Sequence, residues 1–286
     1  MRLLAFALVL LVPASMFGQF GGLVDKARRR IEQSTAKAKP VTDRAVRAAD
    51  TFVPWSADEE QEIGVATAAR LVAMFGLVED EALAHYVNLV GATVARHASR
   101  QVPYRFGILD TEIVGAFALP GGFVFITRGA LAGMKNEAQL AGALSHEIVH
   151  IAERHLETSI RSRRTSNWAI EEAKAEALGN VMNMRQKTDA FLKDMFYSGL
   201  SRDKENAADE HGTQLAIRSG YAAHGLVSFL EAMAESNTKE ENRRLFGQLL
   251  TTHPPFDARI EALMPVVTRS AAEGKTLEER FLAHVH

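Results

Sequence analysis

The sequence predicts an α+β fold, mostly helical, with one small β-sheet packed against the helices. Three observations carry that expectation. Strand-like runs are confined to the middle of the chain, between about residues 104 and 127. Helical periodicity fills the segments on either side. The composition, 47% hydrophobic and 24% charged over 286 residues, suits one sizeable globular domain.

From the N-terminus, Arg2 is followed by an unbroken apolar run from Leu3 to Val12, then Pro13-Ala14-Ser15. That run is too short to cross a bilayer and fits the core of an export signal. Cleavage after Ala14 or after Gly18 is compatible with it, and residues 1–18 are taken as the signal. Lys26, Arg28, Arg29 and Arg30 put more positive charge after the run than before it, so a retained membrane anchor reaching to about Val24 is the alternative. Residues 19–50 read as a basic leader, helical or mobile. The domain proper is expected over 51–268, with 269–286 as a C-terminal tail.

Ser56-Ala57-Asp58-Glu59 has the form of a capping box, and apolar periodicity follows through Ile63, Ala66, Leu71 and Met74. A second helix is expected from Leu83 to Val94. Tyr104–Leu109 and Gly115–Leu119 read as short strands, Pro120-Gly121-Gly122 as a turn, and Phe123–Thr127 as the most strand-like run of all. Beyond Ala130 the chain reads as helix, broken at Gly179, Gly199, Gly220 and His253-Pro254-Pro255.

The formal net charge of -2 gives no basis for binding nucleic acid. The absence of cysteine excludes disulfides, a thiol nucleophile and a cysteine-based metal site, and it also excludes a lipidated cysteine at the signal. Any metal must therefore use histidine and carboxylate, which directs attention to the ten histidines.

On a helix from Asn136 to His155, Leu140, Leu144, Ile148 and Ile151 form one apolar stripe. His146 and His150, four apart, lie one above the other on a different face, expected to point away from the core. Two imidazoles so spaced can share one zinc ion, with Glu147 beside them to take a proton from a water that the ion acidifies. Chance can supply this motif, and two histidines do not complete a site. A metzincin arrangement is excluded, because Glu153 and Leu156 occupy the places of its glycine and third histidine. Two acidic pairs compete for the third ligand. Glu172 with Glu176 reads better as solvated helix surface. Glu205 is favoured, since Asp209 follows one turn later and can hold the outward N–H of a ligating histidine, and Gly212 permits close helix approach. His155 falls on the apolar stripe and reads as a packed structural residue.

Pro120-Gly121-Gly122-Phe123-Val124-Phe125, His146-Glu147-Ile148-Val149-His150, Glu205-Asn206-Ala207-Ala208-Asp209 and Thr252-His253-Pro254 occur in the order seen in gluzincin zinc metallopeptidases of the HtpX, BepA and CAAX-prenyl-protease type. The chain resembles that family from about Trp55 to Val267, in a stand-alone exported form. The resemblance implies a zincin-like domain whose sheet lies beside the active-site helix. It implies one zinc per chain on His146, His150 and Glu205, with Glu147 as general base. It also implies that the strand after Pro120 is an edge strand to which an extended peptide adds. His253 would lie near the metal, either stabilising an oxyanion or closing the open metal position, unless it merely opens a proline turn. Relatives commonly carry Asn where Gly115 stands, so peptide is expected to bind differently or more weakly. The function implied is an endopeptidase of the periplasm or cell envelope acting on misfolded or damaged proteins, with unfolded polypeptide as partner. Peripheral membrane association stays open. The alternative is a zinc-containing chaperone or assembly factor that holds extended chains without efficient cleavage.

Overall fold

The computed structural model describes residues 54–166, 199–237, 256–270 and 274–285. The export signal, the leader, Glu172, Glu176 and His253 lie outside them. In chain order the elements are α1 (Ala57–Phe75), α2 (Glu81–Ala95), β1 (Arg105–Leu109), β2 (Ala116–Leu119), a 3-10 turn (Pro120–Gly122), β3 (Phe123–Thr127) and α3 (Arg128–Gly133). They continue with α4 (Glu137–Ala152), α5 (His155–Ser166), α6 (Arg202–Arg218), α7 (Gly225–Asn237), α8 (Phe256–Arg269) and α9 (Glu278–Val285). This is the expected α+β architecture, helices around one three-stranded sheet.

Helix α1 starts where its capping box predicts. Ser56 Oγ accepts from the Glu59 amide at 3.2 Å, and the Glu59 carboxylate accepts from the Ser56 amide at 3.0 Å. Asp80 and Asn136 cap α2 and α4 with a single bond each, their side-chain oxygens accepting from the amides of Leu83 and Gln139.

The sheet corrects one expectation. The strand after Pro120 is not an edge strand: β3 is central, parallel to β1 and antiparallel to β2. All five of its residues are buried. Phe123 and Phe125 pack towards α1, while Val124 and Ile126 join the core around α4. A strand covered on both faces needs apolar residues at successive positions, as Phe123-Val124-Phe125-Ile126 supplies, whereas an edge facing water would alternate. Among the described residues β2 pairs on one side only, so the open edge next to α4 belongs to Ala116–Leu119.

A second difference concerns α4. Its residues Glu137–Ile151 are all buried, because α2, α6, α7 and β2 cover it from different sides. A helix enclosed in this way has no solvent face, so His146 and His150 do not point away from the core but into an internal boundary between helices.

Helix α9, inside the segment expected as a tail, packs on α2 and α4. Phe281 is fully buried, and Arg280 pairs with the buried Glu137 carboxylate at the start of α4. Tyr86 and Tyr221 donate to the same carboxylate at 2.8 and 2.7 Å. Burial, and then the Glu137 charge, push both phenols above the ordinary tyrosine range.

The 3-10 turn sits tight against α1. Gly121 and Gly122 have φ of 75° and 94°, conformations that glycine adopts without strain. A Cβ on Gly64 of α1 would come 1.9 Å from the Pro120 carbonyl oxygen. Gly64→Ala should therefore force the turn off α1 and lower stability by about 1–3 kcal/mol, measured by urea unfolding. An unchanged midpoint would show that the turn can move without cost.

Candidate metal centre

The i, i+4 spacing on α4 stacks two imidazoles on one face, and here their Nε2 atoms stand 2.9 Å apart. Helix α6 supplies the facing acid. Its side chain at Glu205 is fully buried, with carboxylate oxygens 3.6 Å from His146 Nε2 and 3.6 Å from His150 Nε2. His146, His150 and Glu205 are the one such metal-competent group among the described residues, with ligand atoms all within 4.8 Å of one another.

Close approach of α6 to α4 depends on Gly212, where a Cβ would stand 3.0 Å from the His146 N and Cα. One turn beyond Glu205, Asp209 Oδ1 lies 2.9 Å from His146 Nδ1. The Asp209 carboxylate is gripped in turn by Arg259 of α8, whose Nε and Nη2 donate at 2.8 and 2.6 Å. Arg259 also lies 3.8 Å from Glu205. Sequence reasoning missed Arg259. The signal was a lone basic residue in the first turn of the helix that follows His253-Pro254-Pro255, but which site it serves is set by packing alone.

The protonation states follow from these contacts. Burial pushes the Asp209 carboxyl up, but hydrogen bonds from Arg259 and His146 outweigh it and hold the group below its ordinary 3.8. Burial pushes His146 down, and the Asp209 hydrogen bond more than reverses that. With Asp209 ionised, His146 Nδ1–H donates to it, and Nε2 is the ring nitrogen that faces Glu205.

The arrangement fits a divalent cation on two counts. Tetrahedral coordination at about 2.0–2.1 Å separates ligand atoms by about 3.3 Å, and the three observed spacings bracket that value. Glu147, Glu205 and Asp209 are all buried beside the buried Arg259. A buried set so rich in carboxylate is a donor set that suits a divalent ion.

The two histidines and Glu147 open onto a cleft of about 100 Å³. Its wall on one side is Gly115, Ala116 and Phe117 at the edge of the sheet, and on the other Leu226, Phe229, Leu230 and Met233 of α7. At its rear, His150 Nδ1 meets His155 Nδ1 at 3.0 Å, so His155 is not simply packed into the core as its position on the apolar stripe suggested.

A family model described as Peptidase family M48 matches residues 81–266, well over half of the chain. The chain belongs to peptidase family M48. This M48 chain is 26% identical over 238 residues to the beta-barrel assembly-enhancing protease of Escherichia coli (strain K12), covering 76% of the chain and 47% of that protein. It is 27% identical over 163 residues to metalloprotease YcaL of the same organism, covering 56% and 60%. It is 29% identical over 166 residues to the mitochondrial metalloendopeptidase OMA1 of Bos taurus, covering 54% and 31%. The chain thus spans about half the length of the first of these. Membership of M48 and these names support a metalloendopeptidase.

Because Arg259 is the buried cation paired with the Asp209 carboxylate and close to that of Glu205, Arg259→Met should destabilise the metal-free M48 domain by about 3–5 kcal/mol at pH 7. The sign of its pH dependence is fixed by Asp209. A carboxyl depressed in the folded state contributes stability that is present above its unfolded value and lost as pH falls through the folded one. The gap between wild type and variant in urea unfolding should therefore close as pH drops below about 4. A gap that stayed constant to pH 2 would remove Asp209 as the source.

Proposed function

We propose that this protein is a zinc-dependent endopeptidase of the cell envelope that cleaves extended, unfolded polypeptide. The observation that carries the reading is the convergence of His146, His150 and Glu205 at the base of a cleft that Glu147 also lines. These three residues would hold one zinc ion, which when bound supplies Lewis acidity towards the scissile carbonyl and acidifies a water. Glu147 takes the proton from the attacking water onto a carboxylate oxygen and passes it to the nitrogen of the departing chain. Asp209 keeps His146 in the Nδ1–H tautomer, and Arg259 keeps Asp209 ionised. His253 is assigned by family likeness, either donating to the developing oxyanion or closing the open position at the ion.

Substrate backbone is held by strand addition at the open edge of β2, the strand that replaces the one first expected in this role. The apolar walls of the cleft favour a large apolar side chain next to the scissile bond. Such side chains are presented by unfolded chains, which supports misfolded or damaged envelope proteins as the substrate class. The name of the beta-barrel assembly-enhancing protease supports the same compartment.

Two measurements test the reading. Purified protein should carry about one zinc per chain, and Glu147→Gln should retain it while cleavage of an unfolded model protein falls by about 10²–10⁴-fold. Binding of unfolded protein without turnover in wild type, and equally in His253→Ala, would favour the holding factor instead. Separately, a Cβ on Gly115 would meet only Phe117, at an ordinary 3.8 Å, so a side chain can start there without a clash. Gly115→Asn should unfold at the wild-type temperature and lower KM for peptide several-fold; a KM that stayed the same or rose would remove the edge residue from substrate binding.

A further inference from the structure

The two histidines of the centre are held from behind by different means. His146 Nδ1 has a carboxylate, Asp209, while His150 Nδ1 has a second imidazole, His155. His155 is buried, and its other nitrogen, Nε2, lies 3.1 Å from Glu153 Oε2. The second oxygen of Glu153 is 2.6 Å from His211 Nδ1 on α6, at the protein surface.

This contact is not one that a helix makes by default. Five residues along a continuous α-helix span about 500°, which would leave His150 and His155 about 140° apart. Instead α4 stops at Ala152, and Arg154 takes a left-handed conformation with φ 53°. That conformation costs a non-glycine residue about 1–2 kcal/mol. Arg154 is anchored there by ion pairs to Glu60 at 3.4 Å and Glu157 at 3.1 Å and by a hydrogen bond to the Trp55 carbonyl. The reversal starts α5 at His155 and swings that side chain back behind His150. Lys204 fastens the new helix from α6, donating to the His155 carbonyl and to Thr158 and Ser159. Backbone strain maintained by several anchors at one residue indicates that the position it creates is used.

We propose that His155 is a positioning residue of the metal centre, accepting the Nδ1–H of His150 and passing its own Nε2–H to Glu153. The proposal rests on His146, His150 and Glu205 being the ligands. If His150 Nε2 is to offer a lone pair, its proton is on Nδ1. His155 Nδ1 must then be the acceptor, its proton is on Nε2, and Glu153 receives it. The order of protons along the chain is fixed by one end, and Glu153 with His211 ties it to α6, the helix that carries Glu205.

The test is metal affinity, measured on the full chain by competition with a chelator for zinc, together with the visible spectrum of the cobalt form. His155→Leu should weaken zinc by about 10–100-fold and shift the cobalt bands, as loss of a partner behind a ligand does. His155→Asn, whose amide oxygen can stand where Nδ1 stood, should stay within a few-fold of wild type. Glu153→Ala, at a partly exposed side chain, should give an intermediate loss and keeps the test open if His155→Leu does not fold. Wild-type affinity in His155→Leu or in Glu153→Ala, or an Asn variant as weak as Leu, would overturn the proposal. Absence of tight zinc binding in the wild type would instead overturn the ligand assignment on which it rests.

Discussion

Helices α4 and α6 meet at Gly212, which lies directly against the backbone of His146. The contacts that α6 makes with the two histidines depend on that approach. A carboxylate must come within a few ångströms of an imidazole on the neighbouring helix, and a side chain at the crossing would hold the two axes too far apart. With the glycine in place, Glu205 faces both Nε2 atoms and Asp209 reaches the Nδ1 of His146.

Such closeness is costly unless charge is compensated, since it buries Glu147, Glu205 and Asp209 together. Arg259 answers part of that demand, and a divalent cation would answer the rest. The same logic reaches the far side of His150, where an imidazole replaces the carboxylate and Glu153 sits nearer the surface. The buried negative charge is thereby kept to one side of the site. The cleft walls contributed by the sheet edge and α7 stay apolar.

Much of the fold was legible because its signals are local. The capping box at Ser56, the glycine turn at 120–122, the strand runs and the stripe Leu140, Leu144, Ile148 and Ile151 each depend on neighbours within a turn or two. What went astray was non-local. The edge assignment failed because pairing order is not written in a strand, although the unbroken apolar run of β3 was a sign of a centre strand. The two histidines were expected away from the core because the periodicity of α4 says nothing about how many elements cover it. Helix α9 lay in a stretch expected as tail, yet Phe281 and Arg280 join it to the start of α4.

The sequence by itself determined the pair His146 and His150, because four residues of α-helix stack two side chains whatever surrounds them. It also set Asp209 one turn from Glu205 by the same rule. Only the tertiary structure decided that Glu205 faces those histidines, that Arg259 grips Asp209, and that His155 stands behind His150. Each of these depends on where separate helices come to lie, or, for His155, on a left-handed residue that no helical periodicity foresees. Local geometry fixes spacing along one element; the meeting of elements is fixed by packing and by the need to compensate buried charge.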